Sequence, residues 1–321
     1  MTAATTMATA LPAAAATVDR YKEFPPGWRF LRIPTSSTAS ALAGIALYSA
    51  CRQRALAVQR AAWLAVRLLG PRALPGATVS WAPAPHDVWA ALRERWSREL
   101  GAFDAVAGYR RSQSERDGAA VLLLRGGKPI AFVKLRRDDD PSLEREERAM
   151  RLAHAYGPRS FAVPEPLARG AVAGTGYLAA APLAARLHHP PASPPLREIA
   201  AEASDALRPL PAPPATPASW TPMHGDFTPW NLRRVGRRTF LLDWEQAAWA
   251  PPHADEVLYV AVQASLRGGR ASDVEPWRPE QGDAVRYWRD RLAAGEWGGG
   301  AGDDRLVASV TRRLDLGAGR A

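Results

Sequence analysis

Residues 223–232 read Met-His-Gly-Asp-Phe-Thr-Pro-Trp-Asn-Leu, which sets His224, Asp226 and Asn231 in the order H-x-D-x-x-x-x-N. A second aspartate, Asp243, ends an apolar run twelve residues beyond Asn231. A carboxylate, an amide and a further carboxylate at these intervals are the parts that phosphoryl transfer from ATP requires. One carboxylate orients an acceptor hydroxyl and takes its proton, while the amide oxygen and the other carboxylate hold Mg²⁺ on the phosphates. A hairpin turning at Gly236 folds Asp243 back beside the loop that carries Asp226, so residues distant in the chain can line one cleft.

Upstream, Lys134 lies in the apolar run Ile-Ala-Phe-Val-Lys-Leu of residues 130–135. The chain has three lysines in all, Lys22, Lys128 and Lys134. An ammonium among valine and leucine needs an anionic partner. The segment that follows offers Glu144, Glu146 and Glu147.

Together these residues resemble the aminoglycoside phosphotransferase and choline kinase-like family, relatives of protein kinases. The resemblance is carried by the H-G-D-x-x-x-x-N segment and by Leu242-Asp243-Trp244-Glu245, and spans residues 100–295 or so. It implies Asp226 as catalytic base, with His224 in the catalytic loop as a brace for its backbone. It implies Asn231 and Asp243 as metal ligands, and Lys134 held by a helix glutamate on the α/β-phosphates. The family register favours Glu146, with Glu147 one position away. No G-x-G-x-x-G precedes the lysine. The family's serine-bearing phosphate loop would fall on residues 108–118, making Ser112 and Ser114 phosphate contacts and placing adenine near 179–183. Trp244-Glu245 replaces the Phe-Gly of a protein kinase, so a flipping activation segment is not implied.

The elements that must position these groups follow from pattern and punctuation. Strands are expected over 103–107, 119–125 and 129–136, the last two joined by Gly126-Gly127. Asp140-Pro141 opens a helix reaching Tyr156, and a further strand covers 176–181. The proline-rich stretch 187–219, with a short helix at 196–207, connects two lobes. The hairpin 231–235/239–243 precedes helices at 254–266, 283–293 and 303–316. Asp255 reads as the cap of the first of these. Residues 1–18 read as disordered, 19–36 as irregular, and 37–69 as a helix gathering Ser49, Arg52, Gln53, Gln59, Arg60 and Arg67 on one face. A helix follows at 86–100.

Composition limits the alternatives. The net charge is +10, and 39 of 42 basic residues are arginine. Residues 1–80 hold nine basic against two acidic residues, whereas 251–321 hold ten against eleven. The excess is N-terminal, which argues against a nucleic-acid-binding stripe along the molecule. One cysteine, Cys51, excludes an intrachain disulfide and favours a cytoplasmic setting. His188-His189 lack the Cys or carboxylate neighbours of a zinc site. No apolar run is long enough to span a bilayer.

The expected architecture is α+β, a bilobal protein-kinase-like fold. A small antiparallel-sheet lobe (85–182) and a linker (183–194) lead to a mostly helical lobe (195–321), behind a helical N-terminal extension (1–84). The expected cofactors are ATP and Mg²⁺, with a small hydroxylated acceptor resembling an aminoglycoside, amino alcohol or sugar. The rival reading is a non-catalytic scaffold docked through the basic helix, with peripheral membrane contact through 37–69.

Overall fold

The computed structural model describes residues 20–25, 31–48, 50–109, 118–267, 276–297 and 304–318. Ser112, Ser114 and the N-terminal stretch 1–18 lie outside the described residues.

The first lobe is built on an eight-stranded antiparallel sheet in the order β3-β1-β2-β4-β5-β6-β8-β7. Its central strands are β4 (Ala105–Tyr109), β5 (Ala119–Arg125), β6 (Lys128–Arg137) and β8 (Thr175–Ala180), with β7 (Pro166–Val172) at one edge. β5 reads Ala-Ala-Val-Leu-Leu-Leu because both faces are covered, and a buried two-faced strand is apolar throughout. Val121 and Leu123 face α3 (His86–Glu99), whose Trp89, Leu92 and Trp96 recur at helical spacing; Leu122 and Leu124 face the other way.

The N-terminal segment does more than form the expected helices. β1 (Arg20–Phe24), β2 (Leu31–Pro34) and β3 (Thr78–Ser80) widen the sheet at the β4 edge. Residues 19–36 read as irregular because prolines punctuate short strands, yet Tyr21, Phe24, Leu31 and Ile33 are buried in the manner of strand residues. The helix expected over 37–69 is two, α1 (Thr38–Ala46) and α2 (Gln53–Leu69), each packed on the other. Gln59, placed on the polar face by periodicity, instead points inward. Its amide donates 2.9 Å hydrogen bonds to the carbonyls of Ile45 and Tyr48, capping the end of α1.

α4 (Ser142–Tyr156) lies between the sheet and the second lobe, and Leu143, Met150 and Ala153 enter a core shared with that lobe. The same core takes α5 (Leu196–Leu207), the hairpin β10 (Leu232–Val235)/β11 (Arg238–Leu241) and Trp244. β9 (Thr221–Met223) pairs with β12 (Ala248–Ala250), closing the segment that carries the motif residues. A second core joins α6 (Ala254–Arg267), α7 (Gly282–Ala293) and α8 (Asp304–Ala318) around Trp277, Trp288 and Trp297.

Candidate active site at the lobe junction

Alternation along β6 sends Lys134 and Phe132 to the face of the sheet that meets the second lobe. The Lys134 ammonium donates to both oxygens of Glu146 on α4, at 2.6 and 2.7 Å, and to Oδ1 of Asp243 at 2.5 Å. Glu146 is buried because it shares a helix face with Leu143 and Met150. Glu147, one position on, turns outward to Arg151 and Arg169. The structure therefore brings Lys134, Glu146 and Asp243 together from three elements, and it selects Glu146 over its neighbour.

Asp243 stands just beyond β11 in left-handed backbone, φ 69° and ψ 62°. Aspartate is among the few non-glycine residues that tolerate this region. The bend turns the buried Trp244 into the shared core while Glu245 joins the acidic group. Carboxylate oxygens of Glu146, Asp243 and Glu245 all lie within 4.8 Å of one another. Arg136 approaches Glu245 at 3.3 Å. Burial raises the Glu146 carboxyl, Lys134 opposes that shift, and Asp243 and Glu245 add to it. Three carboxylates against two basic side chains leave a local deficit of positive charge. Hard oxygen donors so arranged fit a hard divalent cation such as Mg²⁺. Of the pair expected from sequence, Asp243 belongs to this group, whereas the Asn231 amide is turned to Asp226.

The residues expected to form the catalytic loop are tied to the segment just before Asp243. Asp226 accepts from Asn231 Nδ2 at 2.8 Å and from the Trp297 indole at 3.2 Å, so both its oxygens are held. Leu242, next to Asp243, donates its backbone N–H to the Asn231 carbonyl at 2.9 Å, tying the two strands of the motif. His224 braces the loop. Its Nε2 donates to the Leu242 carbonyl at 3.0 Å, and its Nδ1 accepts from the Asp226 backbone at 3.2 Å. Burial drives the imidazole down to about 4, which keeps it neutral with one nitrogen donating and the other accepting.

Asp255 is not the helix cap that its position predicted. Buried in the first turn of α6, it accepts from the backbone N–H groups of His224 and Gly225 at 2.7 and 3.0 Å. Burial raises its carboxyl to about 6, with those two donors pulling the other way. Gly225 is obligatory here: its φ is +82°, and a Cβ would stand 2.0 Å from the Gln246 carbonyl oxygen. Sequence reasoning missed Trp297 and gave Asp255 the wrong partner. Glu245 was visible only as part of the Asp-Trp-Glu run.

Residues 176–294 match the phosphotransferase enzyme family. That stretch contains every motif residue from His224 to Glu245, so the resemblance read from the residues is borne out, and with it the expected class of small-molecule phosphotransferase. No curated protein matches the chain. Among solved structures, the fold is similar to a putative fructosamine-3-kinase from Haemophilus somnus 129PT at 10% identity and a TM-score of 0.46, covering 71% of this chain and 97% of that one. It is also similar to the aminoglycoside phosphotransferase APH(2")-IIIa, solved with GDP and kanamycin, at 11% identity and TM-score 0.42, covering 72% and 99%. A third is a putative fructosamine-3-kinase from Thermobifida fusca YX-ER1, at 17% identity and TM-score 0.39, covering 70% and 99%. An antiparallel sheet joined to a mostly helical second lobe is the α+β, protein-kinase-like fold expected from the sequence.

Proposed function

We propose that the chain transfers the γ-phosphate of ATP, with Mg²⁺, to a hydroxyl group of a small molecule. The observation that carries this reading is the convergence of Lys134, Glu146 and Asp243 within hydrogen-bond distance, with the loop of Asp226, held at both oxygens, tied to the residue before Asp243. Asp226 orients the acceptor hydroxyl and receives its proton as the oxygen bonds to the γ-phosphorus and the bond to the β-phosphate oxygen breaks. Asn231, Asp243 and Glu245 would hold the cation, which supplies charge neutralisation on the phosphates. Lys134 would exchange its Asp243 contact for phosphate oxygens when nucleotide is bound, while Glu146 keeps it on the cleft face.

Incubating the protein with labelled ATP, Mg²⁺ and a panel of aminoglycosides, amino alcohols and sugars tests the proposal. Transfer to one class is expected. Asp226→Asn and Asp243→Asn should each lower turnover by roughly 10³-fold while the melting curve stays cooperative. Asparagine is chosen at 243 because it tolerates the left-handed backbone. Wild-type turnover by either variant would end this assignment.

A second reading concerns α2. Its outward face carries Val58, Leu64, Leu68 and Leu69, all at least half exposed, with Arg54, Arg60 and Arg67 also exposed. No acidic residue occurs between Glu23 and Asp87. Apolar side chains flanked by arginine complement an anionic lipid surface. Co-sedimentation with phosphatidylglycerol vesicles but not with phosphatidylcholine vesicles is expected, lost in Leu64→Glu/Leu68→Glu. Equal recovery with both lipids would remove this reading.

A further inference from the structure

The face of the sheet that carries Lys134 is shared between two covers. Cross-strand pairing aligns Ala107, Leu122, Phe132 and Ala180 in one row, with Tyr109, Ala120, Lys134 and Leu178 in the next. At the β8 end, Leu178 and Ala180 enter the core shared with the second lobe. At the β4 end, the row of Ala107, Leu122 and Phe132 is covered by α1, through Ala43 and Leu47, together with Ala185 just past the linker entry. A Cβ on Gly44 would lie 3.4 Å from the Ala107 Cβ and 3.1 and 3.3 Å from the Pro34 and Ile33 side chains, so α1 packs closely on β2 and β4 at this point.

On the ATP-dependent reading above, that row is where the nucleotide base would go. If Lys134 meets phosphates, the base lies about one row toward the start of β6, beside the Phe132–Ala180 pair that leads into the linker. α1 reaches into this space from the β4 side, where its Ala43 and Leu47 pack with Phe132. We propose that α1 and the turn after it are a plug, seated where the base would sit and displaced when nucleotide binds. The proposal rests on the ATP-dependent reading above and adds its regulation.

Two features mark the plug as weakly seated. α1 has nine residues, and those it buries are Ser40, Ala41, Ala43, Gly44, Ile45 and Ala46, mostly side chains with little apolar area to lose. A helix of that length has scant stability of its own. Beneath the following turn, Arg233 on β10 is fully buried, and its Nη2 meets the Cys51 sulfur at 3.7 Å, with Tyr48 and Tyr109 nearby. Among the described residues, its Nε and Nη1 are buried without hydrogen-bond partners. A thiol is a weak acceptor, and unpaired buried N–H groups on a guanidinium are costly, so the closed arrangement leaves a penalty that opening relieves.

A plugged state lowers apparent nucleotide affinity by the fraction of molecules that are open. Two full-length variants test this by equilibrium ATP·Mg²⁺ binding. Gln59→Leu removes the amide that holds the end of α1 to α2, and binding about tenfold tighter than wild type is expected, a change that general damage would not produce. Gly44→Cys/Ala107→Cys in a Cys51→Ser background can form a disulfide, given the 3.4 Å Cβ separation. Oxidised, with the crosslink verified by mass, it should bind at least tenfold more weakly than when reduced. Equal binding by both redox forms, or no gain in Gln59→Leu, overturns the plug and leaves the kinase reading standing. Absence of nucleotide binding by wild type, Gln59→Leu and the reduced pair alike would overturn both.

Discussion

Asp226 is the side chain on which the proposed chemistry turns, and its two oxygens have different histories. Oδ2 is held by Asn231, five residues along the same loop, whereas Oδ1 is held by the Trp297 indole from beyond α7. Both residues of the first contact were legible from the motif spacing, though not the bond between them; the partner in the second was not, since nothing local marks one tryptophan among twelve. A hydrogen bond donated to a carboxylate favours its charged form. Trp297→Phe keeps the ring and removes the donor, so the acidic limb of the kcat/KM profile should move to higher pH, with kcat reduced several-fold. An unmoved limb would mean that the indole does not tune Asp226. His188 supplies a pH test of stability. Burial, with Arg233 and His189 nearby, depresses its imidazole to about 3. The unfolded chain therefore takes up a proton below pH 6.5 that the folded protein does not. Stability is fully present above that pH and is lost as pH falls, by about 2 kcal/mol for this one residue at pH 5. His188→Phe should remove that share of the slope in denaturant titrations at pH 7 and 5. An unchanged slope would assign it elsewhere.

At the scale of elements, the sequence was most readable where periodicity and punctuation agree. α5 and α6 fell close to their expected limits, and β5 and β6 flank the turn that Gly126-Gly127 announced. β7 escaped notice because it is an edge strand with alternate residues exposed. β1 and β2 escaped because proline bounds each of them. Asp255 shows a different limit. An aspartate at a helix start looks the same whether it caps its own helix or reaches a loop thirty residues earlier, and only the fold decides. The loop it holds is also pinned by Gly225. Gly225→Ala would need both a left-handed alanine and a shift of the 244–246 turn, so we expect a loss of more than about 2 kcal/mol and of most activity. A variant that melts and turns over like wild type would show that the loop can yield.

Across the whole molecule, the Lys134–Asp243 contact joins the sheet to the second lobe beside a core that both share. Removing the ammonium leaves Glu146, Asp243 and Glu245 with Arg136 as the nearby basic group. Breaking a buried ion pair in this way costs about 3–5 kcal/mol. Lys134→Met should therefore melt well below wild type in EDTA. Millimolar Mg²⁺ should recover more of that loss than it adds to wild type, because a divalent cation can replace the missing charge. Equal Mg²⁺ shifts in the two proteins would place the cation elsewhere. This tie could be anticipated from a single lysine in an apolar strand. The widening of the sheet by three N-terminal strands could not, since strand partnership is a long-range property.

The one thiol of the chain lies at the seam between the α1–α2 turn and Arg233. Burial raises its pKa, so it should react slowly with alkylating reagents while the turn is seated. With no other cysteine present, the mass of a single adduct accumulating over time becomes a clock for how often that seam parts, readable on the unmodified protein without any label.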